Sequence, residues 1–190
     1  MDQPADVISE IVKYQGVIFD LDGTLVDLGV DWAQLKKGLA QYLYKQGSIV
    51  IEFIPLDQKL FENKSKLGNK LHQELLDIVA GFELIEENYK LNEKLISYIN
   101  SEMPASKKMA IYSMNTKKCI NNIVKKYLKR EPDIIISKET CLEPKPTDKD
   151  IARILQHFGL DNKNVLFVGD SERDLISGKM ANVCTYLVKI

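Results

Sequence analysis

The chain has 190 residues, 45% of them apolar and 28% charged, with a formal net charge of −1. That is enough for one good core, or a core with a small insert, and it gives no global reason to expect nucleic acid or a membrane surface as a partner. Three widely spaced cysteines, Cys119, Cys141 and Cys184, with no Cys-x-x-Cys pair, argue against a disulfide framework or a zinc knuckle and for reduced, mostly buried thiols. The stretch from Met1 to Asp6 is acidic without a long apolar core, so no signal peptide is expected. No run reaches the ~18 apolar residues of a membrane span. The expected location is cytoplasmic, and the oligomeric state, monomer or homodimer, stays open.

In chain order, Val7, Ile8, Ile11 and Val12 follow helical spacing and predict a short N-terminal helix. Gly16, Val17, Ile18 and Phe19 then read as a buried strand. It runs into Asp20, Leu21, Asp22 and Gly23: two carboxylates one residue apart, then a glycine that lets backbone approach an anion or take φ > 0. If the chain turns after Asp20, that residue faces a ligand while Asp22 sits in the loop above. Asp31 is expected to cap a helix carrying Trp32, Leu35, Leu39, Tyr42 and Leu43 on one face and ending near Gly47. Residues 48–54 read as a connector or a buried helix entry. A long helical pattern starts near Asp57 through Leu60, Phe61, Leu67, Leu71, Leu75, Ile78 and Val79, with Gly68 as an interior weak point and Gly81 as its expected stop. One or two further helices are expected over 84–100. Residues 29–90 show no convincing strand alternation and read as a helical insert.

From Lys108 onward the rhythm is α/β. Strands are expected at Met109 to Tyr112, Asp133 to Ile136, Val165 to Val168 and Cys184 to Val188. Thr116 is expected to cap a helix with Ile120, Ile123, Val124 and Tyr127 inward, and Asp148 one with Ile151, Ile154, Leu155 and Phe158. A third helix carries Leu175, Ile176 and Met180. The lysines of the first of these helices read as a solvated face. Alternating strands and helices imply a Rossmann-like, three-layer parallel-sheet core with right-handed crossovers. The domains expected are a core of 1–28 and 91–190 and a helical cap of 29–90.

Polar residues cluster at the C-terminal ends of these strands, where open α/β sheets form sites: Asp20 and Asp22, Ser113 and Asn115, Lys145, and Asp170 with Asp174. Acids brought together repel, and one becomes protonated unless a cation intervenes. Oxygen-only ligands point to Mg²⁺. A serine, a lysine and free N–H groups around Gly23 suit an anion such as phosphate.

The run Asp20-Leu21-Asp22-Gly23-Thr24, then Ser113, then Lys145-Pro146, then Gly169 to Asp174 resembles, in order and spacing, the four motifs of the haloacid dehalogenase superfamily of phosphohydrolases. A helical insert after the first motif resembles the cap of the phosphoglycolate phosphatase-like branch. The resemblance implies a phosphoric monoester hydrolase in which Asp20 is the nucleophile, forming an aspartyl-phosphate, and Asp22 the general acid/base. It implies phosphate contacts from Gly23, Thr24, Ser113, Asn115 and Lys145, and Mg²⁺ held by Asp20, Asp22 (through its backbone carbonyl), Asp170 and Asp174. The partner implied is a small phosphorylated metabolite, with neither nucleic acid nor membrane. Two departures, Asp148 where a proline is frequent and Asn182 where a glycine is frequent, look structural, since Asp caps helices and Asn tolerates left-handed backbone. An aspartate at position 22 favours phosphate-ester hydrolysis or phosphoryl transfer of the phosphoglucomutase type. A non-catalytic binding protein is the third alternative. Lone His72 and His157 read as surface or packing residues, and Trp32, Phe53, Phe61 and Phe82 as cap core, any one of which could line the pocket.

Overall fold

The computed structural model describes residues 6–48 and 51–190. The connector expected over 48–54 therefore lies partly outside the described residues, as does the start of the N-terminal stretch. The elements run α1 (Val7–Ile11), β1 (Gly16–Phe19), β2 (Val26–Asp27), α2 (Trp32–Lys45), α3 (Leu56–Glu83), a 3₁₀ turn (Glu86–Asn88), β3 (Lys90–Leu91), α4 (Glu93–Ser101), β4 (Lys108–Tyr112), α5 (Lys117–Tyr127), β5 (Ile134–Ile136), α6 (Lys149–Phe158), a 3₁₀ turn (Asn162–Asn164), β6 (Val165–Gly169), α7 (Glu172–Met180) and β7 (Cys184–Leu187).

Five strands form one parallel sheet in the order β5-β4-β1-β6-β7. β1 is buried along its whole length, and strand alternation sends its side chains into two separate cores. Val17 and Phe19, with Met109, Ile111, Leu166 and Val168, meet α4 and α5 on one face. Ile18, with Ala110, Tyr112, Val165 and Phe167, meets α6 on the other. The result is the three-layer α/β core expected from the alternation. β1 lies between the strand that follows it on one side and the one that returns on the other, so the crevice above its C-terminal end is a topological switch point.

The cap is a pair of helices with its own core. Leu35, Leu39 and Leu43 of α2 pack on Leu56, Leu60, Leu75 and Val79 of α3, each such side chain contributing about 1.5–3 kcal/mol relative to exposure. Asp31 caps α2 as expected, accepting from Gln34 N–H at 2.9 Å. Gly68 breaks α3 with φ 74° and ψ 161°, a conformation closed to other residues at little cost, so the helix bends there.

Several local expectations are corrected. Gly81 does not stop α3, which continues to Glu83, because packing of Val79 and Ala80 outweighs the roughly 1 kcal/mol penalty of a helical glycine. Residues 84–100 hold one α-helix, within the one or two expected, but a 3₁₀ turn and the unforeseen β3, which pairs antiparallel with β2, precede it. Each of these strands has two residues, too few to show a period. The Asp148 side chain makes no cap hydrogen bond; Thr147 Oγ1 accepts from Lys149 N–H at 3.3 Å instead. Leu175, Ile176 and Met180 of α7 are exposed, and that helix packs through Ser177 and Gly178. Of the thiols only Cys119 is buried, Cys184 being exposed. No helix among the described residues is long and apolar enough to cross a membrane.

Candidate active site

The first strand delivers Asp20 directly to the switch point. Its N–H donates to Val168 O at 2.9 Å, extending the parallel pairing by one residue. The chain then folds into a tight loop in which Thr24, Leu25 and Val26 N–H groups all donate to Leu21 O. Gly23 takes φ +81°, and a Cβ there would stand 2.3 Å from Asp170 Oδ2, so only glycine fits between the two acidic loops. The Asp22 carboxylate accepts from Leu28 N–H at 3.0 Å, which fixes it in the loop above the strand.

Lys145 is the centre of the site. Its ammonium donates to Asp20 Oδ1 (2.9 Å), Asp174 Oδ1 (2.7 Å) and Tyr112 O (2.7 Å), using all three protons. It also lies 4.4 Å and 5.1 Å from the ring centroids of Tyr112 and Phe167, within cation–π range. Asp174 is held from its other side by Ser171, whose N–H and Oγ–H both donate to Oδ2 in a capping box that starts α7. One carboxylate oxygen from each of Asp20, Asp170 and Asp174 lies within 4.8 Å of the others.

The charges do not balance. Among the described residues only the Lys145 ammonium pairs directly with these acids, of which there are four: Asp20, Asp22, Asp170 and Asp174. Burial, then the neighbouring Asp174 and Asp170 carboxylates, push Asp20 up to about 7 against the pull of Lys145. Burial pushes Asp22 up to about 6 and raises Asp170, with Asp174 adding to it. Burial also acts to raise Asp174, but Lys145 and the Ser171 hydrogen bonds outweigh it and hold that carboxyl below its usual range. Asp174 is therefore the firm counter-ion of Lys145, whose own pKa is raised because the two carboxylates overcome its burial. Asp20 is left short of positive charge. A convergent, oxygen-only donor set with excess negative charge fits a hard divalent cation such as Mg²⁺.

A cavity of about 450 Å³ opens over these groups, lined by Asp20, Asp22, Ser113, Asn115, Lys145, Asp170 and Asp174 from the core. Two residues singled out in the sequence lie elsewhere. Gly23 lines the adjoining cleft beside Asp27 and the C-terminal residues. Thr24 is fully buried and its hydroxyl has no partner among the described residues.

Of the four aromatics read as cap core or pocket lining, Trp32 lines the cavity. It stands one turn from Lys36 on α2, which sequence reading did not select and which lines the cavity too. Sequence reading also passed over two acids of α3. Asp57, in the first turn of α3, binds Lys138 after β5 and Arg173 on α7 (3.2 Å), tying cap to core at two points. Glu83, the last residue of α3, is fully buried. It accepts from Asn115 Nδ2 (3.1 Å), Thr116 N–H (3.0 Å) and Thr116 Oγ1 (2.5 Å). The sequence did carry a signal for Glu83: it continues the buried row Leu75, Val79, and an acid in such a row needs a buried partner.

The sequence profile of the haloacid dehalogenase-like hydrolases matches residues 17–188. A phosphoglycolate phosphatase of Aquifex aeolicus (strain VF5) is 29% identical to this chain, covering 90% of it and 83% of the relative. Among solved structures, CbbY of Rhodobacter sphaeroides in complex with phosphate superposes with a TM-score of 0.62 at 15% identity, over 93% of this chain and 87% of that one. A HAD-superfamily hydrolase of Ehrlichia chaffeensis superposes with a TM-score of 0.54 at 22% identity, over 92% and 91%.

Proposed function

The chain belongs to the haloacid dehalogenase-like hydrolases, and from that premise we propose that it is a Mg²⁺-dependent phosphatase of a small phosphorylated metabolite, with Asp20 as nucleophile. The observation that carries this reading is the Lys145-clamped Asp20 carboxylate at the end of the central strand, facing a cavity ringed by Asp170, Asp174 and Ser113. Mg²⁺ would be held by Asp20, Asp170, Asp174 and the Asp22 backbone carbonyl, and when bound it supplies the charge shielding that lets a carboxylate approach a phosphoryl group.

In the first half-reaction an Asp20 oxygen forms a bond to phosphorus as the ester P–O bond breaks, and Asp22 gives its proton to the leaving oxygen. In the second, Asp22 takes a proton from water as that water attacks phosphorus, releasing phosphate and restoring Asp20. The upward push that burial gives Asp22 favours a carboxyl able to carry that proton. Lys145 and Asp174 hold Asp20 in line, and Ser113 and Asn115 border the space the phosphoryl oxygens would take.

Lys36 has no ion-pair partner among the described residues. A free cation in the roof suits a second anionic group on the leaving side, with Trp32 beside it. The Aquifex relative carries the name phosphoglycolate phosphatase, and a phosphorylated small hydroxy acid is the substrate class best supported. The test is phosphate release from an aryl phosphate and a panel of phosphorylated metabolites, with and without Mg²⁺, alongside Asp20→Asn. Release that requires both Mg²⁺ and Asp20, with turnover falling at least about 10³-fold in the variant, is the expected result. Undiminished release from Asp20→Asn removes the nucleophile assignment. No release from any ester moves the reading to phosphoryl transfer of the phosphoglucomutase type.

A further inference from the structure

Ser113 borders the cavity, and its hydroxyl has one proton to give. In the structure it gives that proton to its neighbour, Asn115 Oδ1, at 2.7 Å. Asn115 has no choice in accepting it. Its Nδ2 group donates to Glu83 Oε1 at 3.1 Å, while Oε2 accepts from the Thr116 hydroxyl and N–H, so the carboxylate meets Asn115 as an acceptor. With the amine half of the amide committed to Glu83, the carbonyl half must face Ser113. Thr116 N–H, at 3.0 Å from Oε2, prevents Glu83 from turning round. The chain of bonds therefore has a single direction, Ser113 to Asn115 to Glu83. Ser113, Asn115 and Glu83 are all buried, at 1%, 3% and 0% exposure.

We infer that Glu83 is a positioning residue that sets the direction of the Ser113 hydroxyl through Asn115 and so makes the enzyme's grip on phosphate depend on the seating of the cap. This rests on the phosphatase reading above. A bound phosphoryl group presents only acceptors to Ser113, so the hydroxyl must leave Asn115 to reach it, and Asn115 Oδ1 then loses its donor. Glu83 thus weakens the hold on phosphate, which favours release of product. Because it is the last residue of α3, and α3 carries the Asp57 contacts at its other end, movement of the cap acts directly on this relay.

Glu83→Gln reverses the relay without changing its shape. The glutamine oxygen must face the Thr116 N–H, so its amine faces Asn115. Asn115 then turns over, and its Nδ2 donates to Ser113 Oγ, freeing the Ser113 proton for phosphate. Binding of inorganic phosphate in the presence of Mg²⁺, measured by calorimetry, is expected to tighten about fivefold in Glu83→Gln. KM for the ester is expected to fall, with kcat lowered by slower product release. In a Ser113→Ala background the same substitution is expected to leave phosphate affinity unchanged. Weaker phosphate binding in Glu83→Gln, or a gain that survives loss of the Ser113 hydroxyl, overturns the inference. The Asn115 side-chain amide resonances, assigned with Asn115→Ala, give a reading that needs no activity: they are expected to shift in Glu83→Gln, and unchanged resonances overturn the relay. A wild-type protein that neither binds phosphate nor releases it from an ester refutes the phosphatase reading instead, and the amide resonances still decide the relay.

Discussion

The sheet edge and the cap solve different problems with the same residue types. At the edge, acids and a lysine sit on backbone that cannot move: Asp20 follows a strand paired on both sides, and Asp174 is locked into a capping box. In the cap, acids reach outward from helix ends to hold one body against another, Asp57 at the start of α3 and Glu83 at its finish. The first arrangement concentrates charge in one fixed place. The second spends its charge on contacts between cap and core, while Lys36 faces the cavity. On the proposed reading, chemistry belongs to the sheet edge and selection to the cap.

Four experiments break or sharpen that division. The largest effect is expected at the edge. Lys145→Met leaves Asp20 and Asp174 buried without a counter-ion, and loss of about 3–5 kcal/mol in denaturant unfolding is expected. A loss no larger than at a surface lysine would show the edge to be as yielding as the cap.

Next comes the metal. Asp20 has a folded pKa raised to about 7 and Asp22 one raised to about 6. Between the ordinary carboxylate value and those values the unfolded chain has already lost protons that the folded one still holds. Stability of the metal-free protein should therefore fall as pH rises from about 4 to 7. Mg²⁺ at about a hundredfold over its dissociation constant should return roughly 2.7 kcal/mol, with a larger thermal shift at pH 8 than at pH 5. Equal shifts at both pH values would place Mg²⁺ away from these acids.

A smaller effect is expected at the cap contact. Burial alone would raise Asp57, but Lys138 and then Arg173 hold its carboxyl below the usual range. Its contribution is present above the ordinary carboxylate pKa and lost as pH falls through the lowered folded value. Asp57→Asn should cost about 2 kcal/mol, less than a fully buried pair because Arg173 is half exposed. Amide exchange should quicken in α2 and α3 while β1, β4 and β6 stay protected; uniform quickening would mean that cap and core open as one unit. The smallest effect is expected at Lys36→Gln, with KM rising about tenfold for a phosphorylated hydroxy acid and staying level for an aryl phosphate, a difference of about 1.4 kcal/mol. Equal rises would assign Lys36 to the phosphoryl group.

Most of the edge was legible because its signals are local. Gly16 to Phe19, Met109 to Tyr112 and Val165 to Val168 are unbroken apolar runs; the first two lead straight into Asp20 and Ser113, and the third reaches Asp170 after Gly169. The cap contacts were not, because their partners are distant in sequence and lack periodicity. Glu83 meets Thr116, and Asp57 meets Arg173, across the domain. The face of α7 was hidden for another reason. Gly178 lies so near β7 that a Cβ would stand 1.8 Å from Thr185 Oγ1, so the helix rests on its smallest residues and turns Leu175, Ile176 and Met180 outward. Hydrophobicity alone assigns the opposite face.

The position of β1 also bears on biosynthesis. Both strands that cover its edges, β4 and β6, follow it only after a long stretch of chain. At about 5–20 residues per second, the wait for β6 is on the order of ten seconds. Until β4 is made the central strand has no sheet neighbour, and until β6 is made one of its edges stays uncovered. The two cap helices are made in that interval, and their mutual packing needs nothing that comes later. The insert thus offers the nascent chain a local core of its own while an edge of the central strand is still uncovered.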